Sequence, residues 1–129
     1  MGRELKRILY VEDDSDIRTV TAMALEAVGG FTVISCDSGK EALATAPDAN
    51  ADLILLDVMM PGMDGLATLS ALRGLSQTAD TPVIFMTAKV QASEIQHYMR
   101  LGATDVIAKP FDPMTLSAQI GEIWKKVAG

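Results

Sequence analysis

The sequence predicts an α/β fold in which a parallel sheet is covered by helices on both faces. Short, continuous apolar runs, typical of strands buried on both faces, alternate with longer segments of helical periodicity. Four of these runs end at a polar residue, namely Glu12, Asp57, Thr87 and Lys109. Open parallel sheets bind their ligands at the carboxyl ends of the strands. We therefore expect a doubly wound domain whose functional site lies at that edge of the sheet.

The first half of the chain contains three predicted strands and two predicted helices. The first strand, Arg7–Val11, precedes a helix that Asp14 or Ser15 caps and that Gly29-Gly30 ends. Its apolar face is predicted from helical spacing to contain Ile17, Val20, Ala24, Leu25 and Val28. Residues 31–35 form the second strand. Residues 38–46 form a short helix that Pro47 stops, and residues 53–56 form the third strand.

The second half continues the alternation of strands and helices. Residues 60–65 contain proline and glycine and form a loop, and the fourth strand follows Pro82. The helix between them places three leucines inside, Leu66, Leu69 and Leu72. A helix over residues 92–101 ends at Gly102, and residues 106–108 form the fifth strand. Asp112 caps the final helix, whose apolar stripe is Leu116, Ile120, Ile123 and Val127.

Composition restricts the classes of function. The 129 residues fit one domain, 1–129, and we expect no output domain. The net charge of −6 is unfavourable for a nucleic-acid surface and for docking on anionic lipid. Cys36 is the only cysteine, so neither an intrachain disulfide nor a cysteine-based metal site is available. No apolar run approaches the roughly 20 residues of a membrane span, and no apolar signal segment begins the chain, so we expect a cytoplasmic protein.

Three acids are predicted to meet at the sheet edge. Glu12 and Asp13 follow the first strand, and Asp57 follows the third. Carboxylates a few ångströms apart repel one another unless their charge is relieved, and Mg²⁺ suits a site of one or two carboxylates with waters. Helix capping explains Asp14 and Ser15 well, but it does not explain the two acids before them. The pattern therefore predicts a magnesium site.

Asp57 is the candidate nucleophile. A carboxylate can attack a phosphoryl group to form an acyl phosphate, and the negative charge of that group requires cations and hydrogen-bond donors. Lys109 supplies an ammonium group and Thr87 a hydroxyl group. Each residue alone has an ordinary interpretation as a turn, surface or strand-end residue. Their joint occurrence indicates phosphoryl chemistry.

The chain resembles a response-regulator receiver domain over essentially its whole length. The residues that carry the resemblance are Val11-Glu12-Asp13-Asp14, Leu55 through Gly65, Thr87-Ala88 and Lys109-Pro110-Phe111. The resemblance implies a flavodoxin-like fold with five helices and a sheet of strand order 2-1-3-4-5, similar to single-domain chemotaxis regulators. It implies that Asp57 accepts a phosphoryl group from a sensor histidine kinase or a histidine phosphotransfer protein. Such a domain catalyses only its own phosphorylation and dephosphorylation and signals by binding a downstream protein.

The resemblance also assigns roles within the site. It implies that Asp13, Asp57 and the backbone carbonyl of Met59 hold Mg²⁺, and that Glu12 acts mostly through a water. Lys109 pairs with the phosphoryl group, and its peptide bond to Pro110 is usually cis, which X–Pro bonds tolerate.

Signal transmission in the family involves the loop after the fourth strand. The Thr87 hydroxyl would move toward the phosphoryl group and pull the loop that begins at Ala88 with it, whereas Met59 and Lys89 are implied to tune the lifetime of the phosphoryl group. The family often carries an aromatic residue three positions before the lysine, and this chain has Val106 there. We therefore carry over only the threonine half of the usual switch. The helix over residues 92–101 and the face of the fifth strand are the expected readout surface.

Other functions are compatible with parts of this pattern. A phosphoryl relay intermediate or a phosphate sink would use the same site. An aspartyl-nucleophile phosphohydrolase of the haloacid-dehalogenase type would need Asp-x-Asp after the first strand. A flavodoxin-like flavin carrier would need a hydroxyl-rich loop there, and the intact site residues argue against a scaffold that retains only the fold.

Overall fold

Five parallel strands alternate with five helices in the computed structural model, which describes residues 3–128. The strands are β1 (Arg7–Val11), β2 (Thr32–Cys36), β3 (Leu53–Asp57), β4 (Val83–Thr87) and β5 (Asp105–Ala108). The helices are α1 (Ser15–Ala27), α2 (Gly39–Ala49), α3 (Gly65–Arg73), α4 (Ala92–Arg100) and α5 (Pro113–Ala128). The strand order is β2-β1-β3-β4-β5, which confirms the predicted fold class.

The sheet is buried on both faces, and its side chains alternate between two apolar clusters. Leu9, Ile54 and Phe85 face the side that α2, α3 and α4 cover. Tyr10 and Leu55 face the side that α1 and α5 cover. Every residue of β3 and β4 is buried, which is why these strands appear as continuous apolar runs in the sequence.

The predicted end of α2 at Pro47 is wrong. The helix runs from Gly39 to Ala49 with Pro47 inside it, and it ends at Asn50, which has a φ of 51°. Proline removes one backbone N–H group from the hydrogen-bond ladder, and in the final turn this loss affects a single bond. The left-handed residue therefore ends the helix here, and the proline does not.

The predicted buried face of α1 is only partly right. Thr21 and Leu25 are the buried residues of this helix, whereas Ile17 and Val20 are 40% and 53% exposed. Residues four apart lie one above the other on a helix, so Thr21 and Leu25 form a narrow line of contact. The helix thus keeps an apolar strip at the surface, which the hydrophobic spacing of its sequence did not distinguish from the core.

Helix α5 buries a different set of residues at its end than predicted. Leu116 and Ile120 are buried as expected, but Val127 is exposed and Trp124 takes part in the core. The Trp124 indole N–H donates to the carbonyl of Arg3 at 2.7 Å, which satisfies its polar atom. Among the helices described, none is long and apolar enough to cross a bilayer.

Candidate functional site

The three predicted acids meet at the carboxyl edge of the sheet. β1 and β3 are neighbours, so the residues that follow or end them emerge side by side. One carboxylate oxygen from each of Glu12, Asp13 and Asp57 lies within 4.8 Å of the others. Glu12 and Asp57 are 0% and 3% exposed, whereas Asp13 is open to solvent. The arrangement is a buried acidic pair with a third acid at its entrance.

Lys109 brings a positive charge into this cluster from the end of β5. Its Nζ lies 2.8 Å from Glu12 Oε1 and 3.2 Å from Asp57 Oδ1. Burial lowers the pKa of the Lys109 ammonium, but the hydrogen bond to Glu12 and the charge of Asp57 raise it above its ordinary value overall. The pKa of Glu12 is raised. Burial is the largest cause, and the contact with Asp57 is the second. Lys109 lowers this pKa but offsets only part of these effects. One ammonium therefore does not neutralise the cluster.

The donor set fits a hard divalent cation. Two carboxylates shielded from water and one exposed carboxylate are oxygen ligands, which Mg²⁺ prefers. Three carboxylates and one ammonium group leave an excess of negative charge in the cluster. A cation at the entrance, beside exposed Asp13, would relieve this excess.

The loop after β3 folds back over the acids. The Met59 N–H donates to Asp57 Oδ1 at 3.3 Å, and the Gly65 N–H donates to the Val58 carbonyl at 2.9 Å. A Cβ atom on Gly65 would lie 2.7 Å from the Cα of Val58 and would also press on the Asp57 carbonyl. Glycine is therefore required for α3 to start this close to the backbone that carries Asp57.

Gly65→Ala is expected to destabilise the protein by about 3 kcal/mol, because backbone atoms on both sides of the clash must move. The same movement displaces Asp57, so phosphoryl uptake should also slow. Urea denaturation measures the first effect and intact mass spectrometry the second.

Gly121→Ala is the matched control for this substitution. A Cβ atom there meets no described atom within 4 Å, and the position is inside α5. Alanine should stabilise the helix by about 0.5–1 kcal/mol. Equal denaturation midpoints for the two variants would contradict the role given to Gly65.

Thr87 ends β4 beside the acids and is fully buried. Its carbonyl accepts the Lys109 N–H at 2.9 Å, which ties the ends of β4 and β5 together. Its Oγ1 accepts the Lys89 N–H at 3.1 Å. A hydroxyl oxygen that accepts one hydrogen bond can still donate its own hydrogen, as a bound phosphoryl oxygen would require.

The remaining predicted residues lie in β5 and in the loops after β3, β4 and β5. Ala88 and Lys89 are exposed in the loop after β4, and Val106 is half-buried against the core. The Lys109–Pro110 peptide bond is cis. The side chain of Met59 is exposed, so only its backbone is directed at the acids.

Arg18 is not among the residues that the sequence predicts for the site, yet it supports the acidic loop. Its Nη1 donates to the Glu12 carbonyl at 2.8 Å, with the Asp13 carbonyl 3.5 Å away. The guanidinium group thus holds the loop through its backbone and leaves the carboxylates available. No local pattern predicts this contact, because every residue offers a backbone carbonyl as acceptor.

Comparisons with known proteins identify the family of this chain. Residues 8–121 match the family described as the response regulator receiver domain. The phosphate regulon transcriptional regulatory protein PhoB of Pseudomonas aeruginosa is 36% identical over 121 residues, which are 94% of this chain and 52% of PhoB. CpxR, a transcriptional regulatory protein of Escherichia coli K12, is 40% identical over 122 residues, which are 95% of this chain and 50% of CpxR. The chain thus spans about half the length of these curated relatives.

A protein of solved structure that is shorter than these two relatives matches the chain over nearly its whole length. The chemotaxis response regulator CheY4 of Vibrio cholerae superposes with a TM-score of 0.85 at 33% identity, covering 93% of this chain and 99% of that one. Because sequence and fold agree over nearly the whole length, this chain belongs to the response-regulator receiver domains, which are phosphoacceptor signalling domains of two-component systems rather than enzymes.

Proposed function

We propose that this chain is a receiver in which Asp57 accepts a phosphoryl group from a histidine kinase or a histidine phosphotransfer protein. The reaction depends on Mg²⁺, and the phosphorylated form signals by binding a partner protein. The observation that carries this proposal is the convergence of Asp57, Glu12, Asp13 and Lys109 at one edge of the sheet.

Asp57 is the group that reacts. One of its carboxylate oxygens attacks the phosphorus atom of a phosphohistidine, forming an O–P bond as the N–P bond breaks. The electron pair of the broken bond remains on the histidine nitrogen, which takes up a proton from the surrounding water. Lys109, 3.2 Å from Asp57, and the Met59 N–H, 3.3 Å from it, are positioned to neutralise charge on the transferred group. The Thr87 hydroxyl is a further donor.

Asp13, Asp57 and the Met59 carbonyl are proposed to hold Mg²⁺, with Glu12 acting through a water. The bound cation supplies positive charge against the phosphoryl oxygens, which Lys109 alone does not balance. Within the protein, Arg18 keeps the Glu12–Asp13 loop in place through the carbonyl groups of these two residues.

A groove of about 530 Å³ lies beside the site and is a suitable place for the phosphodonor protein. Its lining includes Ile17 and Val20 of α1 and Lys109, Pro110 and Phe111 of the segment after β5. Ile17 and Val20 are exposed apolar residues of α1. An apolar helix placed here would bring a histidine side chain toward Asp57.

The charge of the chain bears on the class of its downstream partner. Its charge of −6 is unfavourable for contact with nucleic acid or with anionic membranes. We therefore propose that the downstream target is a protein.

The proposal is tested by incubating the purified chain with acetyl phosphate and Mg²⁺ and recording its intact mass. One phosphoryl group per chain is expected in Mg²⁺, and little or none when EDTA replaces the metal. Uptake that is equally fast in EDTA would contradict the metal site. Continuous hydrolysis of p-nitrophenyl phosphate without a phosphorylated chain would contradict the acceptor role and favour a phosphohydrolase.

A further inference from the structure

We propose that Tyr98 of α4 is a positioning residue for the Thr87 hydroxyl group and that it links phosphorylation of Asp57 to α4 through the backbone of Lys89. The inference rests on the proposed function, because it concerns the hydroxyl that would contact the phosphoryl group. In this chain the aromatic residue that couples to Thr87 is on helix α4. The strand position at which the family often carries an aromatic residue is Val106, which lies opposite Phe85.

The backbone of Lys89 is held from two sides by buried hydroxyl groups. Its N–H donates to Thr87 Oγ1 at 3.1 Å, and its carbonyl accepts the Tyr98 hydroxyl at 3.2 Å. Thr87 and Tyr98 are both buried, although Lys89 itself is exposed. The two hydrogen bonds therefore join the end of β4 to the last turn of α4 through one residue of the intervening loop.

The Tyr98 ring is fixed by packing as well as by its hydroxyl group. It meets Phe85 edge to face, with ring centroids 5.5 Å apart and planes at 73°. Phe85 is two residues before Thr87 on β4, and Val106 packs against the same cluster from β5. A β-branched residue at position 106 supplies no ring, so the ring beside this loop comes from α4.

These contacts orient the Thr87 hydroxyl for a phosphoryl group. Because the Lys89 N–H occupies one lone pair of Oγ1, the hydroxyl hydrogen is left to donate elsewhere. Tyr98 keeps Lys89 in the position from which this N–H reaches Oγ1. The tyrosine thus acts on the reaction through Thr87 and does not itself contact the reacting atoms.

The same contacts carry the change outward when Asp57 is phosphorylated. A phosphoryl oxygen that attracts the Thr87 hydroxyl moves Oγ1 and alters its bond to the Lys89 N–H. The Lys89 carbonyl then shifts relative to the Tyr98 hydroxyl. A buried hydroxyl is unfavourable without a partner, so Tyr98 follows the carbonyl and α4 moves with it.

The test compares Tyr98→Phe with Tyr10→Phe in ¹⁵N-labelled protein, with acetyl phosphate and Mg²⁺ as the phosphodonor system. Each sample is followed by intact mass for phosphoryl uptake and by amide chemical shifts over residues 92–100. Tyr10 is the control, because it is a buried tyrosine of the apolar cluster on the opposite face of the sheet from Tyr98. Tyr98→Phe is expected to slow uptake about fivefold, the effect of one hydrogen bond, and to reduce the α4 shifts on phosphorylation by more than half. Tyr10→Phe should match the wild type in both.

Failures of the two proposals are distinguishable in these samples. A wild-type chain that takes up no phosphoryl group overturns the proposed function. A wild-type chain that is phosphorylated, together with a Tyr98→Phe variant of unchanged uptake or unchanged α4 shifts, overturns the role of Tyr98. Hydrogen exchange of the Lys89 amide in the wild type gives a check without any substitution. Exchange should accelerate on phosphorylation, and an unchanged rate would also overturn the inference.

Discussion

Asp57→Asn is expected to abolish phosphoryl uptake from acetyl phosphate. The amide has nearly the same shape as the carboxylate, but its oxygen is neutral and is a poor nucleophile. The fold should persist, because the amide oxygen still accepts from the Met59 N–H and Lys109 keeps Glu12 as a partner. Removing one of three clustered negative charges also reduces repulsion. The free energy of unfolding in EDTA should therefore fall by no more than about 1 kcal/mol.

Asp64→Asn is the matched control, since it makes the same chemical change at the other end of the loop that follows Asp57. Asp64 caps α3 by accepting the Ala67 N–H at 2.9 Å, and asparagine is an equally good cap. This variant should take up one phosphoryl group per chain. A phosphoryl group retained by Asp57→Asn would show that another residue is the acceptor, and the assignment of the site would be wrong.

Lys109→Met is expected to lower both the rate of uptake and the stability of the metal-free protein. The loss of a positive donor 3.2 Å from Asp57 should slow uptake about a hundredfold. It also leaves Glu12 and Asp57 buried without their cation. Breaking a buried pair costs about 3–5 kcal/mol, and because Lys109 is one-fifth exposed we expect about 2–3 kcal/mol. Urea denaturation in EDTA measures this loss, and Mg²⁺ should restore part of it.

The pH dependence of this variant has a definite sign. The pKa of Glu12 is already raised, chiefly by burial, and without Lys109 it rises further. Between the ordinary pKa of glutamate and this higher folded value, the folded protein binds more protons than the unfolded chain does. The stability of Lys109→Met should therefore fall as pH rises through that interval, more steeply than in the wild type.

Lys125→Met is the control for the loss of a lysine. Lys125 pairs with Glu122 at 3.3 Å on the surface of α5, where both side chains are largely exposed. Surface pairs of this kind contribute little, so stability and uptake should match the wild type. If Lys109→Met and Lys125→Met behaved alike, the Lys109 ammonium would have no special place in the site.

The strands and the position of the site follow from local features of the sequence. A strand buried on both faces needs apolar residues throughout, so β3 and β4 appear as uninterrupted runs. A polar residue at the end of such a run must lie at the sheet edge, as Asp57 does. Caps are also local, and Asp14 caps α1 as predicted by accepting the N–H groups of Asp16 and Ile17.

Helix boundaries and helix faces were harder to predict, because they depend on neighbours distant in sequence. Pro47 lies inside α2, and Ile17 and Val20 remain exposed although their spacing is that of a buried face. The apolar pattern is the same for a core and for an interaction surface. Which of these apolar residues are buried depends on the helices and strands that pack against them.

By itself, the sequence determined the alternation of strands and helices, the edge at which the acids and Lys109 meet, and the family resemblance. The tertiary structure alone decided that Arg18 supports the acidic loop and that Tyr98 reaches the Lys89 carbonyl from α4. The physical reason is that strand ends are set by local burial, whereas a side chain that donates to a backbone carbonyl leaves no pattern in the sequence. A carbonyl group is present at every residue, so only the fold selects the one that is bound.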